Sequence, residues 1–320
     1  MKRLLRWVGI AVVLQRLFGP APSPRFRPGQ VHPWRVSGRT VFVGDNEFLV
    51  RESGPKDAPP VVLIHGLAGS SIAEWYRVGR ILAADHRVIL VDNRSHGLSP
   101  QSRTRFEVED VADEVAAILD TLGIATATVV GYSMGGTIAQ AFAYRHPGRV
   151  RSLVLIATFS HHPPLLRFLR VAGLMIARAW ERITGTGTPE VRSLYLLLTG
   201  AVEREHARWL WDETHRRDPE AGAQAAFAML RFDARDWIGR LGVPSVVVIP
   251  PRDQLVPAPW QYRLADEIAA DEGGEVPGAR HEVPWTHPEL IAEVIARAAK
   301  QEPVGQPVRS PGPDAGRSRS

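Results

Sequence analysis

One serine in this chain sits where a hydroxyl can become reactive. The run Gly131-Tyr132-Ser133-Met134-Gly135-Gly136 follows the apolar stretch Ala127-Thr128-Val129-Val130 and precedes a helix-like segment from Thr137 to Tyr144. That is G-x-S-x-G between a strand and a helix, a turn that presents one serine at the top of a parallel sheet. Small residues on either side let the backbone bend sharply without a Cβ clash. The five-residue pattern alone occurs by chance in about one in ten chains of this length, so its chemistry has to be argued from partners. A serine hydroxyl is a weak nucleophile near neutral pH; it needs a base within hydrogen-bond reach, and the base needs an orienting group. On a strand–turn–helix serine these follow in the order serine, acid, histidine. Asp253 lies just after the apolar run Ser245–Ile249, in Pro251-Arg252-Asp253-Gln254-Leu255-Val256-Pro257, and His281 follows in Gly278-Ala279-Arg280-His281. Asp253 is read as the orienting acid and His281 as general base and acid. A tetrahedral intermediate also needs donors for its oxyanion, each worth about 3 kcal/mol in the transition state. The amide of Met134, next after the serine, is one candidate. The amide of Leu67, in His65-Gly66-Leu67-Ala68-Gly69 after the run Val61–Ile64, is the other.

The elements that must position these groups are legible as periodicities. Val61–Ile64, Val88–Val91, Ala127–Val130, Leu153–Ile156 and Ser245–Ile249 are short unbroken apolar runs, as expected of strands buried on both faces of a parallel sheet. Ahead of them, Thr40 to Val43 and Glu47 to Glu52 predict two antiparallel strands around Gly44-Asp45-Asn46. Val108, Val111, Val115, Ile118, Leu119 and Leu122 repeat with a period near 3.6, and Gly123 supplies a stop. Strand and helix alternate, which predicts an α/β fold: a mostly parallel, twisted sheet flanked by helices with right-handed crossovers. Between Phe159 and Asp236 the rhythm changes. Four helices are expected, over 163–182, 189–200, 203–215 and 219–231, forming an inserted helical lid at about 159–236 above the C-terminal edge of the sheet.

Composition sets the outer limits. The chain has 320 residues, 44% hydrophobic and 23% charged, and no cysteine. Disulfides, thiolate metal sites and a cysteine nucleophile are excluded. The net charge of +5 is unevenly placed: residues 1–44 carry eight Lys or Arg and no acid, the last twenty residues contribute +1, and the middle is left at about −4. The basic character belongs to the N-terminal arm, not to a nucleic-acid groove on the folded part. In that arm Lys2, Arg3 and Arg6 precede an apolar run from Trp7 to Leu14, too short to span a bilayer. On a helical wheel the cations Lys2, Arg3, Arg6 and Arg16 oppose Leu4, Val8, Ala11, Val12, Leu14 and Phe18. Three readings fit it: a helix lying in a membrane surface through residues 1–18, a helix docked on the protein itself, and a secretion signal without a clean cleavage site. The organisation expected is a basic arm and linker over 1–34, a folded domain over 35–300, and a disordered tail rich in Gln, Pro, Gly, Ser and Arg over 301–320. A cytoplasmic location, with or without peripheral membrane contact, is the expectation that goes with it.

Taken together, the chain resembles the α/β-hydrolase superfamily, specifically its lidded, single-domain members. The matching pieces are His65-Gly66 after a strand, Asp92-Asn93-Arg94-Ser95-His96-Gly97-Leu98-Ser99, the elbow at Ser133, Arg145-His146-Pro147 closing the next helix, Asp253 and His281. They span about residues 40–300. Two positions depart from the pattern: Ser95 stands where the family usually has Gly, and Pro250-Pro251 stand where a Gly commonly precedes the acid. The resemblance implies a serine hydrolase with the triad Ser133, Asp253 and His281, oxyanion donors at Leu67 and Met134, and neither metal nor cofactor. A serine nucleophile argues against the branches of the family that use a carboxylate there, the dehalogenases and epoxide hydrolases. The expected reaction is hydrolysis of a carboxylic ester of a fairly apolar small molecule, in a monomer or weak oligomer without an obligate protein partner. An acyltransferase, a lactonase, a C–C bond hydrolase and a non-catalytic ligand-binding member remain alternatives on the same fold. His65 and His96 are read as structural, His161-His162 as a solvated lid entrance without a third metal ligand, and His287 as a surface or capping residue before Pro288. The lid's Phe168, Leu169, Leu174 and Met175 are candidates for an acyl pocket.

Overall fold

The apolar runs do form one sheet. The computed structural model describes residues 32–67, 69–99, 105–184, 188–215, 219–270 and 272–301. Its eight strands are β1 Gly38–Val43, β2 Asn46–Ser53, β3 Pro60–Ile64, β4 Arg87–Val91, β5 Ala127–Tyr132, β6 Val150–Ile156, β7 Ser245–Ile249 and β8 Glu272–Glu275. They lie in the order β1-β2-β4-β3-β5-β6-β7-β8. β1 pairs antiparallel with β2 and β2 antiparallel with β4, while every later pair is parallel. Strand order reverses around β3, which lies between β4 and β5, so the loops leaving the C-terminal ends of β3 and β5 open beside each other. A crevice at such a switch point is where open α/β sheets gather ligands and chemistry.

Alternation along each central strand explains why the runs are apolar on every residue. Val62 and Ile64 enter one core cluster with Ile89, Val91 and Val129, while Val61 and Leu63 enter a second with Val88, Leu90 and Val130. Helices cover both faces. α1 Ser71–Leu82 and α10 Pro288–Ala298 close the second cluster; α2 Val108–Thr121, α3 Met134–Arg145 and α8 Ala258–Glu267 close the first. The short helix α9 Val283–Thr286 follows His281. The remaining helices belong to the insertion: α4 Pro164–Thr184, α5 Thr188–Leu198, α6 Ala207–His215 preceded by a 3-10 turn Arg204–His206, and α7 Pro219–Arg231. The four helices expected there are present within a few residues, and one isolated bridge between His161 and Asp233 closes the neck of the insertion.

Two expectations need amendment. β8, with the sequence Glu-Gly-Gly-Glu, carries no apolar run; among the described residues it is an edge strand that pairs on one side only, and pairing with β7 rather than burial makes it a strand. Residues 32–34, read as linker, belong to the folded part: the ring of Trp34 fills the space over Gly79, where an added Cβ would lie 2.7 Å from it, and His32 packs edge-on to Trp209 at 5.8 Å. The rest of the expected arm, residues 1–31, and the tail from 302 onward lie outside the described residues. Among the described residues no helix is long and apolar enough to cross a membrane.

Candidate active site

The turn after β5 shows why its glycines are where they are. Ser133 has φ 53° and ψ −117°, a backbone conformation that a residue with a side chain adopts only under constraint. The constraint comes from the surroundings: the Ser133 amide donates to Ile156 O at 2.9 Å, and its carbonyl accepts from Thr158 Oγ1 at 2.8 Å. A Cβ on Gly131 would lie 2.3 Å from Gly135 O, and one on Gly135 would lie 2.2 Å from Ile64 O. Both clashes are with backbone, so no side-chain adjustment relieves them, and the elbow can close against β3 only with glycine at these two positions.

Ser133, His281 and Asp253, separated by up to 148 residues in sequence, meet in space. His281 Nε2 lies 3.1 Å from Ser133 Oγ, and His281 Nδ1 lies 2.7 Å from Asp253 Oδ2. An ionised carboxylate only accepts, so Nδ1 carries the proton and Nε2 is left as the acceptor for the serine hydroxyl. Asp253 is itself held in place. Its Oδ1 accepts the amides of Leu255 and Val256, each at 2.8 Å, and its Oδ2 accepts Gln261 Nε2 at 3.2 Å. Asp253 and His281 are buried, whereas Ser133 is partly open to solvent. The Pro250-Pro251 departure is accommodated by a turn. Asp253 N donates to Pro250 O at 3.1 Å, which closes a turn with Pro251 at its second position, where proline's fixed φ is favourable.

The loop after β3 faces this constellation from the neighbouring strand. Its Gly66 amide is occupied, donating to Glu74 Oε2 at 2.6 Å. Glu74 is buried under the loop, and Gly69 leaves room for it, since a Cβ there would fall 2.2 Å from Glu74 Oε1. With Gly66 engaged, Leu67 is the next amide of the turn. Met134 opens α3, so its amide belongs to the first turn, whose N–H groups have no acceptor within the helix.

A buried polar network fixes this loop to the end of β4. His65 Nδ1 pairs with Gly66 O at 2.8 Å, and its Nε2 accepts the Asn93 amide at 2.9 Å. Asp92 Oδ1 accepts Ser71 N at 2.7 Å and Ser71 Oγ at 2.5 Å, and its Oδ2 accepts the Leu98 amide at 3.0 Å and faces Arg51 at 3.3 Å. Burial alone would raise the Asp92 pKa; the Arg51 charge, His65 and the hydrogen bonds outweigh it and hold the group below the usual aspartate range. Ser95 takes φ 60°, the left-handed region, which accounts for glycine being usual at that position. His96 Nδ1 pairs with Arg94 O at 3.0 Å, so both His65 and His96 are tied to backbone groups of these loops.

The other sequence candidates separate. His161 interacts with Ser160, Arg263 and, at 3.9 Å, Glu267; burial, the largest cause, lowers its pKa. Among the described residues no cluster of three or more ligating side chains could hold a metal. His287 sits at the start of α10, but its side chain caps nothing; Nδ1 pairs with Thr286 Oγ1 at 2.8 Å. Leu169 and Met175 are exposed and Leu174 is intermediate, so α4 does not present them as a closed acyl pocket; the side chain of Phe168 lies outside the described residues. Three site residues escaped the sequence reading. Gln261 braces Asp253, Glu74 braces the loop after β3, and Tyr132 donates its hydroxyl to His281 O at 3.0 Å. Only Tyr132, inside the elbow motif, had a positional signal.

A doubly wound sheet with a strained serine after its fifth strand defines a class, and comparison with known proteins places the chain within it. The family model described as alpha/beta hydrolase fold matches residues 59–288. The chain belongs to that family and is a hydrolase of it. The pimeloyl-[acyl-carrier protein] methyl ester esterase of Chromobacterium violaceum is 33% identical over 251 residues, covering 74% of this chain and 93% of the relative. A protein of Variovorax paradoxus that carries the name of a carbamate hydrolase is 32% identical over 221 residues, covering 67% of this chain and 82% of the relative. Among solved structures, the enol-lactonase of Burkholderia xenovorans superposes with a TM-score of 0.69 at 23% identity, covering 81% of this chain and 99% of that one; at that identity the likeness concerns the fold.

Proposed function

We propose that this protein is a serine hydrolase that cleaves a carboxylic ester through an acyl-serine intermediate. The observation that carries the reading is the continuous line of hydrogen bonds from Ser133 Oγ through His281 to Asp253. Ser133 Oγ attacks the acyl carbonyl carbon as His281 Nε2 takes its proton. The carbonyl electron pair moves to oxygen, where the Leu67 and Met134 amides receive it. The imidazolium, stabilised by Asp253, returns the proton to the leaving alkoxide as the carbon–oxygen bond breaks. Water then repeats the sequence with His281 as base and releases the acid and the free serine. The methyl ester esterase relative supports an ester as the bond cleaved. The relative named as a carbamate hydrolase favours a second reading, in which the same serine takes up a carbamoyl group.

The test is labelling by a fluorophosphonate probe in wild type and Ser133→Ala, together with turnover of p-nitrophenyl esters of increasing acyl length and of a p-nitrophenyl carbamate. Labelling and ester turnover that both vanish in the variant are expected. A folded wild type that neither labels nor turns over any ester would overturn the proposal, and faster turnover of the carbamate would select the second reading.

A further inference from the structure

Among the described residues no side chain of α4 enters either core cluster, yet one side chain of that helix reaches the segment that carries Asp253. Arg170 Nη2 donates to Leu255 O at 2.7 Å, and its guanidinium carbon lies 4.9 Å from the centroid of the Trp260 ring. Both contacts fall on the stretch 253–261, which runs from Asp253 into α8. Trp260 is firmly seated: it is buried and meets Phe159 edge-on at 6.3 Å and His162 at 4.9 Å. Leu255, by contrast, is 48% exposed on a connection that is neither helix nor strand, so its own side chain does little to hold the loop.

The peptide group between Leu255 and Val256 makes the connection to the carboxylate. A peptide group is planar, with its C=O and N–H on opposite sides. The C=O of this one accepts from Arg170, and its N–H donates to Asp253 Oδ1 at 2.8 Å. Fixing the oxygen therefore fixes the direction of the N–H. A cation on the carbonyl also polarises the group and makes the N–H a stronger donor. The contact with Trp260 bears on the other carboxylate oxygen. Trp260 immediately precedes Gln261, whose Nε2 bonds Asp253 Oδ2 at 3.2 Å and Val256 O at 2.7 Å. One guanidinium thus borders both supports of the carboxylate. Arginine suits the place, because it can rest on an aromatic face while an edge N–H donates. Burial, the largest cause, lowers the Arg170 pKa, and the Asp253 charge raises it; the guanidinium stays charged near neutral pH.

We propose that Arg170 is a positioning residue: from the insertion it fastens the Leu255–Val256 peptide and Trp260, and through them it holds Asp253 against His281. Its consequence for turnover rests on the serine-hydrolase reading. Arg170→Met keeps an unbranched stem and deletes the charge and the donor. Deuterium uptake in peptides spanning 253–261 is expected to become about threefold faster in this variant, with the melting temperature unchanged. Its kcat on a p-nitrophenyl ester is expected to fall about fivefold with KM unchanged. Arg170→Lys restores a charge and a donor, and is expected to recover wild-type exchange and kcat to within about twofold. Arg170→Gln, too short to reach the carbonyl, is expected to behave like Arg170→Met and serves if that variant does not fold. Added to Asp253→Asn, Arg170→Met is expected to leave the rate of fluorophosphonate labelling unaltered, because the carboxylate through which it acts is gone. Unaltered exchange in 253–261 would overturn the proposal, and so would an unaltered kcat. A raised KM with unchanged kcat would overturn it in favour of a cation that touches the substrate. An equal loss in the Asp253→Asn background would overturn it in favour of a cover that acts apart from the acid. A wild type that neither labels nor cleaves an ester would end the hydrolase reading alone, and the exchange comparison would then decide whether Arg170 holds Asp253.

Discussion

At the scale of single residues, the site is organised around holding one imidazole in one tautomer. Asp253 Oδ2 faces His281 Nδ1 at 2.7 Å, and three donors fix the carboxylate. Replacing Asp253 by Asn puts an amide of the same shape there, which can donate to Nδ1 and so favours the tautomer that cannot accept from Ser133. The fold is expected to survive, and kcat on a p-nitrophenyl ester to fall by about 10⁴-fold; near wild-type kcat would remove Asp253 from the mechanism. Gln261 acts one step further out, since its Nε2 bonds both Asp253 Oδ2 and Val256 O. Gln261→Met keeps the volume but deletes one of the three donors, a loss of about 1 kcal/mol. We expect kcat to drop about fivefold with KM unchanged, and a raised KM with unchanged kcat would show that Gln261 shapes the substrate site instead. Ser133, Asp253 and His281 were legible in the sequence because chain order and flanking strands constrain them. Gln261 and Glu74 were not: each acts through a contact set by tertiary packing, and neither residue type at its position differs from an ordinary helix residue.

At the scale of elements, helix ends and strand ends carry both the legible and the illegible parts of the fold. The five apolar strands could be read because burial on two faces demands unbroken Val, Ile and Leu, whereas β8 could not, because an edge strand needs only a partner. Gly123 marked the end of α2 correctly: it has φ 67°, with Gly123 N bonded to Asp120 O and Ile124 N to Leu119 O, the paired bonds of a Schellman ending. The same ending closes α8 without a glycine. Ala269 has φ 50°, Ala269 N bonds Asp266 O at 3.2 Å, and Ala270 N bonds Ala265 O at 3.0 Å. A Cβ in the left-handed region costs about 1 kcal/mol, so Ala269→Gly is expected to stabilise the protein by up to about 1 kcal/mol, read as a rise in the denaturation midpoint. A lower midpoint would mean that the unfolded-state entropy of glycine outweighs the relief. The junction of β4 with α1 makes the opposite case. Asp92→Asn leaves the Arg51 guanidinium, 5% exposed, without its counter-charge, at a cost of about 3 kcal/mol near neutral pH. Because the folded-state pKa of Asp92 is lowered from the ordinary value of 3.8, its contribution is complete above that value and is lost as pH falls through the lower folded value. The stability gap between wild type and variant is therefore expected to be constant down to about pH 5 and to close in stronger acid. A gap unchanged through the acid limb would show that Asp92 titrates alike in the folded and the unfolded chain, and that the Arg51 charge does not lower its pKa.

At the scale of the whole molecule, the insertion is held by two separate roots, and they divide its helices unequally. Trp209 and Leu210 of α6 and Leu196 of α5 join the core cluster on one face of the sheet, while Ala225 and Ala228 of α7 and Phe232 join the cluster on the other. Among the described residues, no side chain of α4 belongs to either cluster. The sequence showed that this region was helical from its periodicity, but periodicity does not say which core a helix shares. Polar ties reinforce the first root. Ser70 Oγ donates to Glu213 Oε2 at 2.9 Å, and Arg77 pairs with Glu203. Trp209 is its centre, fully buried, with the Tyr76 ring at 5.4 Å and the His32 ring at 5.8 Å. Trp209→Ala deletes a large buried ring, a change that costs about 3–5 kcal/mol where the site cannot collapse. If the insertion opens as a unit of its own, that cost falls on local opening rather than on the sheet. Deuterium uptake is then expected to rise in residues 188–215 and to stay unchanged in β3, β5 and β6, with α4 exchanging fast in both proteins. Uptake that rises equally in the strands would show that the insertion and the sheet unfold together, and that α6 belongs to the same cooperative unit as the sheet.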